Sequence, residues 1–263
     1  MSAETAISPA QAAAPDVPAL AVVVPVRNEA DNIIPLIDEI RGALEGRIAY
    51  EIVYVDDGSD DLTPERLDEA RRLYPNMRVL RHRRGCGQSQ AIVTGVKAAR
   101  APLIATLDGD GQNDPADIPA LLDRIAALPE AERFKTMIAG HRQKRRDTTL
   151  RRLSSRVAHG VRAWMLGDAT PDTGCGLKLF SRDAFLDMPR FNHMHRFMPA
   201  LMIRGGGRVL SVAVNHRPRE RGTSKYGLWN RLWVGIVDLF GVMWLQARAS
   251  NPDIEHHGGG SSL

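Results

Sequence analysis

A Rossmann-like α/β fold, with a mostly parallel sheet flanked by helices, is the class this sequence predicts, and three observations predict it. From Leu20 onward, short unbroken apolar runs rich in β-branched residues alternate with segments of helical periodicity. Strands covered on both faces carry such continuous runs, whereas half-buried antiparallel strands alternate. Three of the runs end in polar loops, which is where parallel α/β sheets place their binding residues. The chain has 263 residues, 43% of them apolar and 25% charged, enough for one sizeable core or one domain with an appendage.

The elements follow in order. The run 20–26 predicts a strand that ends at Arg27-Asn28-Glu29, and Ile33, Ile34, Ile37, Ile40 and Leu44 then recur at helical spacing. A second strand over 51–55 closes on Asp56-Asp57-Gly58-Ser59, Thr63-Pro64 opens a helix to Leu73, and 77–82 is a third strand. A helix over about 88–99 leads to a fourth strand, 103–107, which runs into Asp108-Gly109-Asp110; a helix over 115–128 and a fifth strand over 136–139 follow. The second half breaks the rhythm. A helix over 150–166 has Leu150, Leu153, Val157, Val161, Trp164 and Met165 on one stripe, with Arg151, Arg152, Arg156 and Arg162 around the rest. A strand is expected over 209–215, then an apolar helix over 228–246 interrupted by Arg231 and Asp238. Its uncharged run 232–237 is far short of the roughly 20 apolar residues that span a bilayer.

Charge and cysteine content narrow the function classes. The net charge of +4 hides a division: positions 1–130 hold 13 basic and 21 acidic residues, whereas 131–263 hold 22 basic and 10 acidic. Such a basic half faces an anionic partner, whether phosphorylated substrate, membrane headgroup or nucleic acid, unless it is merely an Arg-rich solvated surface. Cys86 and Cys175 make neither a disulfide framework nor a zinc cluster, so both are expected as free thiols in a reducing compartment. The Ala/Pro-rich N-terminus lacks a basic n-region and carries Glu4 and Asp16, which reads as a disordered leader.

The strongest chemical signal is Asp108-Gly109-Asp110-Gly111-Gln112-Asn113-Asp114-Pro115. Two carboxylates one residue apart in a glycine-relaxed turn suit a hard divalent cation with sites left open for phosphate oxygens, and Gln112 adds a neutral oxygen. Asn113 and Pro119 stand where an EF-hand needs Gly and Glu, which excludes that motif. Asp114 suits a helix cap before Pro115. The loops 25–29 and 55–61 would line the same crevice and supply acceptors for a base and ribose. Gly85-Cys86-Gly87-Gln88-Ser89-Gln90 fails the dinucleotide fingerprint and reads as a Gly-rich helix entry near the nucleotide; no phosphate loop of the GxxxxGK[ST] type occurs. His193 and His195 read as surface or acceptor-side histidines, since their spacing does not suit a zinc site on a helix.

Taken together, Val24-Pro25-Val26-Arg27-Asn28-Glu29, Val55-Asp56-Asp57-Gly58-Ser59 and the Asp108–Pro115 loop resemble glycosyltransferase family 2, and within it the polyprenyl-phosphate hexosyltransferases. The likeness continues through Asp172-Thr173-Gly174-Cys175-Gly176-Leu177-Lys178 and Arg219-Glu220-Arg221-Gly222-Thr223-Ser224-Lys225-Tyr226, covering roughly residues 19–246. It implies an A-type glycosyltransferase fold and inverting transfer of a hexose from a nucleotide sugar to a polyprenyl phosphate for cell-envelope glycans. It assigns the divalent cation, Mg2+ or Mn2+, to Asp108, Asp110 and Gln112. Pro25, Val26, Asn28, Glu29, Asp57, Gln88 and Asp108 fall to the nucleotide sugar, with Lys178, Arg219 and Lys225 on its phosphates. Asp110, Asp172 and Arg221 are the catalytic candidates, Asp172 being expected to orient the acceptor or assist rather than serve as an indispensable base. Lys178 replaces the family's usual Arg, a bidentate fork exchanged for a point charge. Gln143-Lys144-Arg145-Arg146 is followed by Asp147 rather than the QxxRW of processive synthases, which argues against a polymerising enzyme.

On this resemblance the expected organisation is a leader over 1–18, a catalytic domain over 19–227, an apolar helix over 228–248 and a flexible tail over 249–263. The Arg-flanked 150–166 helix, the basic 141–146 stretch and the Trp229, Trp233 and Trp244 helix suit an anionic membrane surface, with packing on the sheet or burial in a homo-oligomer as alternatives. The expected location is cytoplasmic, peripheral to the inner face of the cytoplasmic membrane, with no nucleic-acid partner. Two competing readings are a soluble non-processive transferase acting on a saccharide or protein hydroxyl, and a non-catalytic protein that binds anionic ligands.

Overall fold

The computed structural model describes residues 17–142, 160, 163, 165–218, 228–250 and 252. Its strands are β1 Leu20–Val26, β2 Tyr50–Asp56, β3 Met77–Arg81, β4 Leu103–Thr106, β5 Thr136–Arg142, β6 Lys178–Ser181 and β7 Arg208–Val214. They form one sheet in the order β3-β2-β1-β4-β6-β5-β7. Pairing is parallel throughout except for β6, which runs antiparallel to both β4 and β5. Among the described residues the helices are α1 Ile33–Leu44, α2 Thr63–Leu73, α3 Gln88–Ala98, α4 Ile118–Ala126, α5 Glu130–Arg133, α6 Arg182–Leu186, α7 Met198–Arg204 and α8 Leu228–Ala247.

The unbroken apolar runs do what two-sided burial requires. Along β1, Leu20, Val22 and Val24 pack with Ile37, Ile40 and Leu44 of α1, while Ala21 and Val23 face Val93 and Val96 of α3. The second face also gathers Phe180, Phe185 and the apolar sides of α7 and α8. Successive side chains of a strand point to opposite faces, so a strand covered by helices on both sides has no solvent position to fill with a polar residue.

Three expectations change. The reversed strand β6 and the short helices α6 and α7 were not foreseen. The helix expected over 115–128 is instead a 3-10 turn, Pro115–Asp117, followed by α4 to Ala126, with Pro129 separating it from α5. Strand β5 runs on to Arg142, three residues beyond the expected end. Most of the expected 150–166 helix, the leader up to residue 16 and nearly all of the tail lie outside the described residues. Reversal of β6 positions the site. Its first residue, Lys178, lies opposite Thr106, the last residue of β4, so β6 begins at the edge where the parallel strands end.

Candidate active site at the strand ends

Four loops converge at that edge. After β1, Asn28 adopts φ 58, a left-handed conformation that Asn tolerates better than most residues. Its amide is tied to the second loop: Nδ2 donates to Asp60 Oδ1 at 2.5 Å, and Oδ1 accepts from the Asp60 N–H at 3.0 Å. The Asn28 and Glu29 backbone N–H groups donate to Ser59 Oγ and Thr63 Oγ1, both at 2.9 Å. Asn28 and Glu29, expected at the nucleotide, thus staple the first loop to the second, while Pro25 and Val26 are the closing residues of β1.

Asp57 is buried, and both its oxygens are engaged. Oδ1 accepts from the Cys86 N–H at 2.7 Å and lies 2.7 Å from His82 Nδ1, and Oδ2 accepts from the Gly87 N–H at 2.7 Å. Gly58 at φ 70 lets this turn approach the backbone of Arg84, where a Cβ would sit 2.7 Å from a carbonyl carbon. Expected as an acceptor for the base, Asp57 here anchors the Gly85-Cys86-Gly87 loop. That loop delivers Gln88, whose Nε2 donates to Asp108 Oδ1 at 2.7 Å. The second loop is thereby linked to the acidic pair.

Asp108 follows β4. Burial and the neighbouring Asp110 carboxylate raise its pKa to about 6, against the opposing pull of Lys178, Arg142 and the Gln88 hydrogen bond. Two carboxylates that repel each other at the end of a buried strand are a donor set that a hard cation relieves. Asp110 Oδ1 accepts from the Gln112 backbone N–H at 3.1 Å. Asp114 caps the following turn by accepting from the Ala116 N–H at 3.0 Å, as its place before Pro115 suggests, and also pairs with Arg217 at 2.7 Å. A second set of donor atoms, on Asp57, His82 and Cys86, lies within 4.8 Å of one another. There the carboxylate is already satisfied by two backbone N–H groups, so the acidic pair is the better match for a divalent ion.

The segment 172–178 closes the site from the other side. Gly176 lies directly on the Asp108 carboxylate, and its carbonyl accepts from Thr106 Oγ1 at 2.7 Å. Lys178 is 4% exposed, burial lowers its pKa, and its ammonium donates to the Cys175 carbonyl. Asp172 is held by Arg142, whose Nε donates to Oδ2 at 2.5 Å and Nη2 to Oδ1 at 2.7 Å. The expectation that Arg142 belongs to a surface-facing basic stretch is therefore corrected: the longer β5 turns it inward to a buried carboxylate, which in turn raises the Arg142 pKa. Gln88, Asp108, Gly176, Lys178, His195 and Arg196 line a cavity of about 260 Å3. Arg219, Arg221 and Lys225 lie outside the described residues.

Sequence reasoning missed Arg142, Ser89 and the strap after β7. In that strap Asn215 donates from its backbone N–H and its side-chain amide to the Asp117 carboxylate at 2.7 and 3.1 Å, and Arg217 pairs with Glu39 at 2.7 Å. His195, expected as a surface or acceptor-side histidine, lines the cavity. No local spacing could have shown these, because each contact joins distant parts of the chain.

Residues 21–188 match the family model described as glycosyl transferase family 2. The chain is 34% identical over 244 residues to the dodecaprenyl-phosphate galacturonate synthase of Rhizobium johnstonii, covering 89% of this chain and 69% of that protein. It is also 34% identical over 212 residues to the undecaprenyl-phosphate 4-deoxy-4-formamido-L-arabinose transferase of Edwardsiella ictaluri, covering 80% of this chain and 63% of the relative. Among solved structures, glucosyl-3-phosphoglycerate synthase of Mycobacterium tuberculosis in complex with Mg2+ and UDP superposes with a TM-score of 0.64 at 17% identity, over 90% of this chain and 81% of that one. The same enzyme with Mn2+, UDP-glucose and glycerol 3-phosphate gives 0.61 at 17% identity, over 90% and 82%. At that identity the likeness speaks for the A-type glycosyltransferase fold.

Proposed function

The chain belongs to glycosyltransferase family 2, and from that premise we propose that it transfers a sugar, with inversion, from a nucleoside-diphosphate sugar to a polyprenyl phosphate. The names of the two sequence relatives support the acceptor class. The observation that carries the reading is the Asp108/Asp110 pair at the end of β4, with Asp108 lining the same cavity as the buried Lys178. Asp108 and Asp110 would hold the divalent cation, with Gln112 as the third ligand expected from the sequence. A cation there supplies charge neutralisation to the departing diphosphate.

The chain's own groups do the rest. The stapled loops carrying Pro25, Val26, Asn28, Glu29 and Asp57 form the nucleotide end, and Gln88 fixes the Asp108 carboxylate. Lys178 contributes a desolvated point charge that acts more strongly on phosphate than it would in water. Arg219, Arg221 and Lys225 are proposed to add to it from the segment after β7. An acceptor phosphate has a second pKa of about 6 and is largely dianionic at neutral pH, so it attacks without needing a base. Asp172, with both oxygens on Arg142, is suited to orienting groups rather than taking a proton.

Among the described residues no helix is long and apolar enough to cross a membrane. Val237, Phe240 and Trp244 of α8 are exposed on one side of the helix, and we assign that face to surface contact with the cytoplasmic leaflet, where the lipid acceptor resides. The decisive experiment offers a panel of radiolabelled nucleotide sugars to the full chain with undecaprenyl phosphate in anionic vesicles. Label entering the organic phase is expected; label that enters only a water-soluble saccharide or protein overturns the acceptor assignment. Sedimentation with the vesicles that is independent of anionic lipid content would remove the surface assignment alone.

A further inference from the structure

His195 is absent from every role above, yet its surroundings fix its chemistry. The ring sits on the turn Met194–Arg196, which follows His193 at φ 65. His193 Nδ1 lies 3.1 Å from Asp238 Oδ2, tying that turn to α8. At the second residue of α3, Ser89 is 3% exposed and makes two contacts with His195: its Oγ accepts from the His195 backbone N–H at 3.2 Å and lies 2.7 Å from Nδ1. Among the described residues the Ser89 hydroxyl proton has no acceptor within hydrogen-bond distance other than Nδ1. A hydroxyl that accepts from the backbone and donates to Nδ1 leaves Nδ1 an acceptor and puts the ring proton on Nε2. Burial, with Arg196, Lys178 and His193 nearby, pushes the His195 pKa down to about 3, so the ring is neutral at physiological pH.

The cavity wall therefore carries a neutral N–H donor together with a buried ammonium and the Asp108 carboxylate. We propose that His195 donates its Nε2–H to a phosphoryl oxygen of a substrate, and that Ser89 is the positioning residue that selects this tautomer. A neutral donor helps here because it adds a hydrogen bond to phosphate without placing a further cation against Lys178. The proposal rests on the transferase reading for the identity of its substrates, which leaves two sources for the phosphoryl oxygen: the donor's diphosphate or the lipid phosphate.

The test uses the full chain labelled with 15N-histidine. Long-range 1H–15N spectra at pH 7 are expected to show His195 neutral and protonated at Nε2, with that nitrogen shifting when UDP, GDP or undecaprenyl phosphate in detergent micelles is added. The ligand that moves it identifies the source. His195→Ala should weaken that ligand about 10-fold or more, the usual effect of losing a hydrogen bond to a charged group. His195→Gln, whose amide can place an N–H near the Nε2 position, should recover most of the loss. Ser89→Ala should mix the tautomers and weaken the same ligand without altering the other. A proton on Nδ1, an imidazolium at pH 7, or unchanged affinity for all three ligands in His195→Ala overturns the proposal. Correct tautomer and phosphate binding in a chain that transfers no sugar would sink the transferase reading and leave the phosphate contact standing.

Discussion

Gly176→Ala isolates the functional demand on one close approach. A Cβ at position 176 would lie 2.3 Å from Asp108 Oδ2, 2.4 Å from Cγ and 2.6 Å from Oδ1. Comfortable separation for such atoms is about 3.5 Å, so one partner must retreat by roughly 1 Å. The backbone at 176 has little freedom, because its carbonyl is held by Thr106 and the adjacent Leu177 carbonyl accepts from the Gly140 N–H at 2.9 Å. The movement therefore falls on the Asp108 carboxylate. Displacing the end of one side chain costs about 1 kcal/mol, the low end for overpacking. Displacing a charge-bearing group at a reacting centre by about 1 Å costs on the order of 100-fold in rate. The assay is kcat/KM for sugar transfer over a Mn2+ titration, with thermal unfolding as the control. Activity within about threefold of the parent at every metal concentration would refute the placement of Asp108 at the diphosphate, since the carboxylate cannot stay where it is.

Asp172→Asn should lose well under the several-thousand-fold typical of a missing general base. Arg142→Ala should reproduce that loss, with the double variant no worse than either single one, and unfolding should show about 3 kcal/mol of destabilisation from the unpaired buried carboxylate. The His195 pKa lies below its unfolded value of about 6.5, so its contribution to stability is fully present above that pH and is lost as pH falls toward 3. The unfolding free energy of the parent relative to His195→Gln should therefore fall by up to about 1.4 kcal/mol per pH unit between pH 6 and 4, read by denaturant titration; a flat difference would contradict the neutral ring. Chelation should abolish transfer and Mg2+ or Mn2+ should restore it, whereas Asp110→Ala should show no restoration in the same assay.

How much of this was visible in the sequence depended on the range of the interaction. β1, β2 and β4 announce themselves because two-sided burial makes their runs almost wholly apolar, and the Thr63-Pro64 start of α2 is set by local backbone chemistry. The acidic turn after β4 is legible for the same reason, since its carboxylates are one residue apart. β6 is not. It is four residues long, begins with a lysine and passes into α6 without a turn, so neither period nor punctuation marks it. Arg142 is 30 residues from Asp172, and Ser89 is 106 from His195. Contacts of that range depend on strand order, which composition does not encode. Asp57 shows the intermediate case: its place at a strand end was correct to expect, while its partners came from a loop 30 residues downstream.

The reversed strand also has a consequence for how the molecule is made. During synthesis β1 to β4 can pair as soon as residue 106 has emerged, but the far edge of β4 has no partner until Lys178 to Ser181 arrive about 70 residues later. For that interval the nascent sheet presents an apolar, hydrogen-bond-hungry margin, the kind of edge that recruits foreign strands. The segment that completes the cavity is thus also the one that seals the sheet, so a chain stopped before residue 178 lacks Lys178 and keeps an open margin at β4. Assembly of the site and protection from aggregation are one event in the life of this polypeptide.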